Sequence, residues 1–224
     1  MPFEGFSPKT ARFLRDLDKN NTREWFENHR PEYEEHLMGP ARDFVLAMAD
    51  KLDKFDPAIE ATPKVNQSIR RINRDTRFTK DKRPYKNHFD FYFPHSGFKG
   101  RPGYWLRITP KQIGIGAGLH GFDDKVLAKW RKAVAADATG KPLATSLAKL
   151  ERANYDVYGE FYKRVPKGFD ADHPRADLLK YAGIHVGLDM ARPPQFTTRA
   201  FPTFVMGHFK KLRPVTDWLV DLID

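Results

Sequence analysis

The sequence predicts an α+β fold: a single domain in which an antiparallel β-meander packs against N-terminal and C-terminal helices. Apolar residues recur at helical spacing over residues 1–56 and again within 122–224, whereas between them, over 65–120, the spacing changes to a period of two. Helices grouped on both sides of a run of strands favour α+β over a parallel βαβ architecture. A length of 224 residues suits one large domain.

Three helices are predicted within residues 1–56. Ser7-Pro8 is typical of a helix start, and Asn21 through Glu24 has the form of a capping box. Gly39-Pro40 is expected to end the second helix and to begin the third. The third helix has the most regular apolar stripe, formed by Ala41, Phe44, Val45, Met48, Ala49, Leu52 and Phe55.

Three strands are predicted in the middle of the chain. Residues 86–93 alternate strictly, with Phe89, Phe91 and Phe93 on one face. A loop rich in glycine and proline over residues 95–103 leads to a second strand, 104–109, and a tight turn leads to a third, 112–120. Connections this short indicate antiparallel pairing. Residues near 65–72 are a candidate for a further strand.

Residues 122–224 are predicted to be mainly helical, with one or two further strands. Asp123 is expected to cap a helix, Pro142 and Pro214 to begin two more, and a short helix to follow Pro174. The added strands are expected within residues 184–205, where the pattern is ambiguous. No internal repeat and no linker long enough to separate domains is present in the sequence.

Positive charge is concentrated in one short stretch, RRINRDTRFTKDKRPYK, residues 70–86. Residues 68–88 carry a net charge of +6, against +10 for the whole chain and −3 for residues 1–67. Cations this close repel one another unless an anion offsets them, so the stretch predicts an acidic partner such as phosphate, carboxylate, nucleotide or nucleic acid. Its cations are Arg70, Arg71, Arg74, Arg77, Lys80, Lys82, Arg83 and Lys86, and its acids are Asp75 and Asp81.

A polar face is predicted on the same sheet. If the strands pair as a meander, this face collects Lys86, His88, Asp90 and Tyr92 from the first strand and Trp105 and Arg107 from the second. The third strand adds Gly114, Gly116 and Gly118 to it. Glycines offer no side chain to pack, so a helix or a ligand is expected close against them. A cationic loop above a glycine floor suits an anionic ligand with a flat part.

Each candidate residue has a role in this hypothesis. Arginine and lysine would hold the anion, Asp75 would orient the arginines, and an aromatic ring would stack on the ligand. His88 and Asp90 are the candidate acid and base. The candidate binding residues are Arg71, Arg74, Asp75, Arg77, Lys82, Tyr85, Lys86, Trp105, Arg107 and Gly116.

Three functions stay open at this point. The first is binding of a small anionic ligand, and the sequence does not decide whether the site also catalyses a reaction. The second is binding of single-stranded nucleic acid by interleaved cations and aromatics. The third is an architectural role, in which Arg77 and Asp75 belong to an ion-pair network of a protein-interaction domain. The cofactor, if any, and the oligomeric state are unknown.

Several classes of function are disfavoured by composition. The sequence holds no cysteine, which excludes disulfides, thiolate metal sites and a cysteine nucleophile. The scattered histidines match no common metal motif, so no metal site is predicted. The N-terminus does not have the form of a signal peptide, and no apolar run approaches the roughly 20 residues that cross a bilayer. We therefore expect a soluble, cytoplasmic protein without membrane contact.

The basic stretch also carries a family resemblance. Arg71, Arg74, Asp75, Arg77 and Phe78, followed by Asp81-Lys82 and Tyr85-Lys86, form an Arg-x-x-Arg-Asp-x-Arg-Phe…Asp-Lys…Tyr-Lys pattern. This pattern resembles that of the bacterial domain-of-unknown-function family 2461. The segments NNTREWFENHRPEYE, GIGAGL and PKGFDADHP extend the resemblance over nearly the whole chain. The resemblance implies that the motif is a unit, and it implies no activity, substrate or cofactor.

Overall fold

The computed structural model describes residues 2–95 and 100–224, in which α-helices flank one antiparallel sheet. The α-helices are α1 (Pro8–Lys19), α2 (Arg23–Asn28), α3 (Arg30–Tyr33), α4 (Gly39–Phe55), α5 (Asp124–Ala135), α6 (Asp137–Arg152), α7 (Ala176–Leu179) and α8 (Phe201–Ile223). The strands are β1 (Phe89–Pro94), β2 (Gly103–Ile108), β3 (Gln112–Leu119), β4 (Asp156–Glu160) and β5 (Tyr181–Ala191), in the order β1-β2-β3-β5-β4. The predicted α+β class and the meander of the first three strands are confirmed.

The chain folds into two compact units. The first unit holds the described residues up to Pro94 together with Trp105–Ile115 and Asp189–Gly207. The second holds the described residues of His95–Tyr104 together with Gly116–Leu188 and His208–Asp224. The extent of one domain over residues 1–224, with the inner divisions given above, stays a prediction.

The core of the first unit is built from phenylalanine rings. Phe6 and Phe44 are fully buried, and the ring of Phe91 lies 5.0 Å from that of Phe44 and 6.1 Å from that of Phe6. Phe89 and Phe93 are buried on the same side of β1, as the alternating pattern predicts. Aromatic contacts of this kind stabilise a core beyond the area they bury.

The core of the second unit centres on Trp130 in α5. Its ring is fully buried, and its indole Nε1 donates a hydrogen bond of 2.9 Å to the carbonyl oxygen of Leu178. The buried Tyr104 hydroxyl lies 2.5 Å from the hydroxyl of Thr216 in α8. These buried polar groups therefore have the partners that an apolar interior requires.

Gly39-Pro40 begins α4, as predicted, but it does not interrupt the helical backbone that precedes it, contrary to prediction. A π-helical turn, Glu34–Met38, joins α3 to α4 without interruption. Pro40 lacks the N–H that would donate to the carbonyl oxygen of His36, four residues earlier. The hydroxyl of Thr10, fully buried in α1, donates to that oxygen instead at 2.7 Å. A partner from another helix thus satisfies the group that the proline leaves open.

Other predicted boundaries also differ from the structure. Thr22 rather than Asn21 caps α2, since its side chain accepts a bond from the Trp25 N–H. Pro142 and Pro214 do not begin helices but lie inside α6 and α8. Asp123 caps α5 as predicted.

The strands match the prediction more closely. β1 begins at Phe89 rather than at residue 86. Residues 68–70 run beside β1, with an isolated bridge between Ile69 and Phe91, and a second bridge joins Asn73 to Tyr85, ahead of β1. β5 lies partly in the predicted segment 184–205, and β4 was not predicted. Of the predicted loop 95–103, residues 96–99 lie outside the described residues.

Candidate functional site

The basic stretch forms a loop that projects from the first unit. Its two ends are held together by backbone hydrogen bonds of 2.8 Å, from the N–H of Arg74 to Pro84 and from the N–H of Lys86 to Ile72. We call residues 74–84 the cationic loop. These two hydrogen bonds close the base of the cationic loop, and its charged residues lie beyond that base.

Tyr85, which directly follows the cationic loop, packs into the core of the first unit. Its ring is 5% exposed and stacks on Phe26, with ring centres 4.3 Å apart. The side-chain amide of Asn21 bonds both backbone groups of Tyr85, accepting from its N–H and donating to its carbonyl oxygen, each at 3.0 Å. The ring face of Tyr85 therefore lies in the core, which leaves it unavailable for the predicted stacking on a ligand. Asn21, which the sequence indicated as a helix cap, holds the backbone of Tyr85 in place.

The two acids of the loop are occupied by its own arginines. Arg77 makes a bidentate pair with Asp75, and Arg83 makes one with Asp81, with closest distances of 2.7 and 2.8 Å. Arg74 contacts Asp81 as well, at 2.7 Å. Hydrogen bonds from Arg77 and from Arg83 hold the pKa of Asp75 and of Asp81, respectively, below the usual range. Asp75 thus holds the guanidinium of Arg77, and its role in orienting arginines toward a ligand stays a prediction.

One ion pair joins the cationic loop to the helical N-terminus. The guanidinium of Arg83 lies 3.2 Å from the carboxylate of Asp18 in α1. Both side chains are more than a third exposed. A contact of the architectural kind is therefore present, but exposed ion pairs contribute little to stability.

Four cations of the basic stretch make no salt bridge with any acid that the structure describes. They are Arg70, Arg71, Lys80 and Lys82. Lys82 donates to the carbonyl oxygen of Thr76 at 2.9 Å, and the guanidinium of Arg70 lies 5.9 Å from the ring centre of Tyr92. All four residues are exposed. Positive charge therefore remains available at the surface after the internal pairing.

Phe78 stands at the tip of the cationic loop. Its side chain is 93% exposed, and the guanidinium of Arg77 lies 5.4 Å from its ring centre. The sequence showed an aromatic between cations, but exposure to this degree is not visible in a sequence. Phe78 was therefore absent from the predicted site residues.

A second cluster of charges surrounds Asp90 on β1. Nε of Arg107 lies 2.7 Å from this carboxylate, Nε2 of His88 lies 3.3 Å away and Nζ of Lys86 3.6 Å. The structure thus brings together the predicted polar face of the first two strands. Burial alone would raise the pKa of Asp90, but hydrogen bonds from His88 and Arg107 outweigh burial and lower it. A carboxylate with a low pKa holds cations at neutral pH and is a weak base.

Lys86 is a half-buried cation of this cluster. Burial lowers its pKa, and the nearby positive charges of Arg70 and Arg107 act in the same direction against the attraction of Asp90. An anion bound near the ammonium group of Lys86 would therefore raise its pKa toward the usual value.

The three glycines of β3, which are Gly114, Gly116 and Gly118, are covered by neighbouring parts of the chain. At Gly114 a side chain would meet the ring of Trp105 on β2 and the carboxylate of Asp189 on β5. Gly116 is buried on the same strand. Neither a helix nor a ligand is needed at Gly114, and Asp189 is a neighbour that sequence reasoning missed.

Two depressions on the described surface are lined by residues outside these charge clusters. One is bounded by Lys19, Asn20, Asn21, Thr22, Glu24, Trp25 and Asn28, and the other by Glu151, Asn154, Tyr155, Asp156, Val157 and Tyr158. No residue of the cationic loop lines either depression. In the described part of the chain, no helix has both the length and the apolar character needed to cross a membrane.

Comparison with known families identifies the chain. The profile of the family described as Conserved hypothetical protein (DUF2461) matches residues 9–218. The chain belongs to DUF2461. The family resemblance predicted from the sequence is thereby confirmed over nearly the whole chain. Comparisons with the curated proteins and with the solved structures each found no match.

Proposed function

We propose that this DUF2461 protein binds single-stranded nucleic acid through the cationic loop. The observation that carries the proposal is the exposure of Phe78. Its aromatic ring is 93% exposed at the tip of the cationic loop, among cationic residues. Proteins that bind single strands stack bases on such rings while basic side chains follow the phosphates. The proposal includes the cytoplasmic location expected from the sequence.

The charge balance of the loop supports the same ligand. Because Asp75 and Asp81 are held by Arg74, Arg77 and Arg83, they do not compete for the remaining cations. The four remaining cations named above are exposed and can meet phosphates. Neutralising about four phosphates of a single strand gives a slope of about −3 in log affinity against log salt concentration.

A small anion at the Asp90 cluster is the second candidate. Its support is the convergence of Lys86, His88 and Arg107 on one carboxylate. The half-buried Trp105 lies two residues before Arg107 on β2. A phosphate or carboxylate bound here would compete with Asp90 for Arg107 and Lys86. We therefore expect weaker binding at this cluster than at the loop.

Thermal unfolding with a panel of ligands tests the proposal. The panel contains oligothymidylate, inorganic phosphate, nucleotides and sugar phosphates, each added to wild type, Phe78→Ala, Arg107→Ala and Phe161→Ala. Phe161 is the matched control, since it is a phenylalanine 74% exposed outside the cationic loop. A ligand at a hundred times its Kd stabilises by about 2.7 kcal/mol, which raises the Tm of a chain this long by roughly 5–10 °C.

The outcomes separate the candidates. A shift with oligothymidylate that is lost in Phe78→Ala and kept in Phe161→Ala supports the proposal. A shift with phosphate or a nucleotide that survives Phe78→Ala but is lost in Arg107→Ala assigns the function to the Asp90 cluster instead. If no ligand shifts the transition, or if both phenylalanine variants lose the shift equally, the cationic loop is not the binding site.

A further inference from the structure

Two histidines meet in the second unit, apart from the cationic loop and the Asp90 cluster. His120 directly follows β3 and His185 lies in β5. Their ring centres are 5.1 Å apart, with an angle of 33° between the rings. The two residues are far apart in sequence, so only the fold brings them together.

Gly118 makes this approach of the two strands possible. Its φ of +146° is a conformation that residues with side chains rarely adopt. A Cβ at this position would overlap the carbonyl oxygen of Ile184 and lie 2.6 Å from the Cα of His185. The glycine therefore lets β5 come close enough to place the His185 ring beside that of His120.

Both rings are open to a ligand. His120 is exposed and His185 is half-buried. Among the described residues, no hydrogen bond reaches a ring nitrogen of either, whereas His29, His173 and His208 each have a ring nitrogen bonded within the protein. The pKa of His185 is lowered, first by burial and then by the charge of His120, which favours the neutral ring that binds metals.

We propose that His120 and His185 together bind one divalent cation of the zinc class, through one nitrogen of each ring. Zn–N bonds of about 2.0–2.1 Å put each ring centre about 3.2 Å from the metal, and a tetrahedral angle then separates the two centres by about 5.2 Å. The separation in the structure is 5.1 Å. Imidazole is a ligand that zinc, copper and nickel share.

The two histidines would leave the other coordination positions of the metal ion free. No group of three or more histidine, aspartate or glutamate side chains in the described ranges is arranged to hold a metal, so the protein supplies two ligands and water or an anion supplies the others. Tyr158 lies opposite His185 across the β4–β5 pair, and its hydroxyl donates to Asp156 at 3.1 Å. The ring centres of Tyr158 and His185 are 6.2 Å apart, so a polar side chain adjoins one of the two proposed ligands.

Isothermal titration calorimetry of untagged, chelator-treated protein with zinc chloride tests this inference. At pH 7.5 we expect one zinc per chain, and at least tenfold weaker binding in both His120→Ala and His185→Ala. His120 is exposed, so that variant should keep the fold. His88→Ala is the matched control, because His88 next to Asp90 is the other pair of potential ligands. At pH 5.5 protons compete for the rings, and binding should weaken at least tenfold.

Three outcomes would overturn the inference. They are no zinc binding by the wild type, unchanged binding in His120→Ala, and loss of binding in His88→Ala with the two other variants unaffected. None of these outcomes bears on nucleic-acid binding by the cationic loop, since the two proposals share no residue.

Discussion

Asp90 is a residue at which burial and charge act in opposite directions. Its side chain is 18% exposed, and burial alone would favour the protonated form. The hydrogen bonds from His88 and Arg107 keep it ionised. The sequence predicted that these residues share a face from their alternation along the strands. It could not predict that the cations would point at Asp90 rather than at a ligand, because that depends on rotamers.

Replacing Asp90 by asparagine should destabilise the protein by about 1–2 kcal/mol at pH 7, because the cations lose a charged acceptor. The folded pKa of Asp90 lies below its unfolded value of about 3.9, so its contribution is complete above that value and is lost as the pH falls through the folded pKa. The difference between wild type and variant should therefore shrink below about pH 4. Urea unfolding from pH 7 down to pH 3 measures it.

The control for this prediction is Asp172→Asn. Asp172 is exposed, and an exposed substitution of this kind should change the free energy of unfolding by less than about 0.5 kcal/mol. An Asp90→Asn variant as stable as this control would show that the cluster does not depend on the carboxylate.

At the scale of elements, the join between α3 and α4 depends on a contact from a third helix. Pro40 leaves the carbonyl oxygen of His36 without its helical donor, and Thr10 supplies one. A rule based on local sequence places a helix end at Gly39-Pro40, since it does not know what packs against the turn. Pro142 and Pro214 misled the prediction in the same way, because both lie inside helices.

Thr10→Val keeps the shape of the side chain and removes the donor. The His36 carbonyl oxygen would then lack its side-chain donor, which should lower the free energy of unfolding by about 1–3 kcal/mol. Thr145→Val is the matched control, since Thr145 also donates to a helix carbonyl oxygen but is exposed to water. Chemical denaturation of both variants measures the difference, and equal effects would contradict the role given to Thr10.

Two glycines should respond to alanine in opposite directions. Gly118→Ala should destabilise by at least about 3 kcal/mol, because its backbone conformation is strained for alanine and its Cβ would overlap β5. Gly207 lies exposed in α8 with open space at its Cβ, so Gly207→Ala should stabilise by about 0.5–1 kcal/mol. Urea denaturation measures both, and a Gly118→Ala variant as stable as the wild type would show that the approach of β5 does not require glycine.

The strands show what the sequence can and cannot predict of elements. The alternation of Phe89, Phe91 and Phe93 correctly predicted the buried face of β1. The glycines of β3 predicted a helix or a ligand close against them, and this was wrong, since at Gly118 the close neighbour is the backbone of β5. β4 escaped prediction because it is short and contains Gly159, whose φ of +130° interrupts the pattern.

For the whole molecule, the uneven charge was the strongest functional signal in the sequence. The net charge of +6 over residues 68–88 predicted a binding site at the cationic loop, and that stays a prediction. The pairing of Arg83 with Asp18, far away along the chain, was not predictable, and neither was the exposure of Phe78. Both features depend on tertiary structure. The ion pair favours a structural role for the positive charge, and the exposed ring favours binding of a ligand.

The most direct test of nucleic-acid binding is the affinity of a labelled oligothymidylate of about 10 nucleotides, measured by fluorescence anisotropy across a salt series. Wild type should show a logarithmic salt slope of about −3. Phe78→Ala should lose about 5- to 150-fold in affinity with the same slope, because it removes stacking and no charge. Lys80→Ala should instead reduce the slope by about 0.7. Wild-type affinity in Phe78→Ala, or binding that does not depend on salt, would contradict the account.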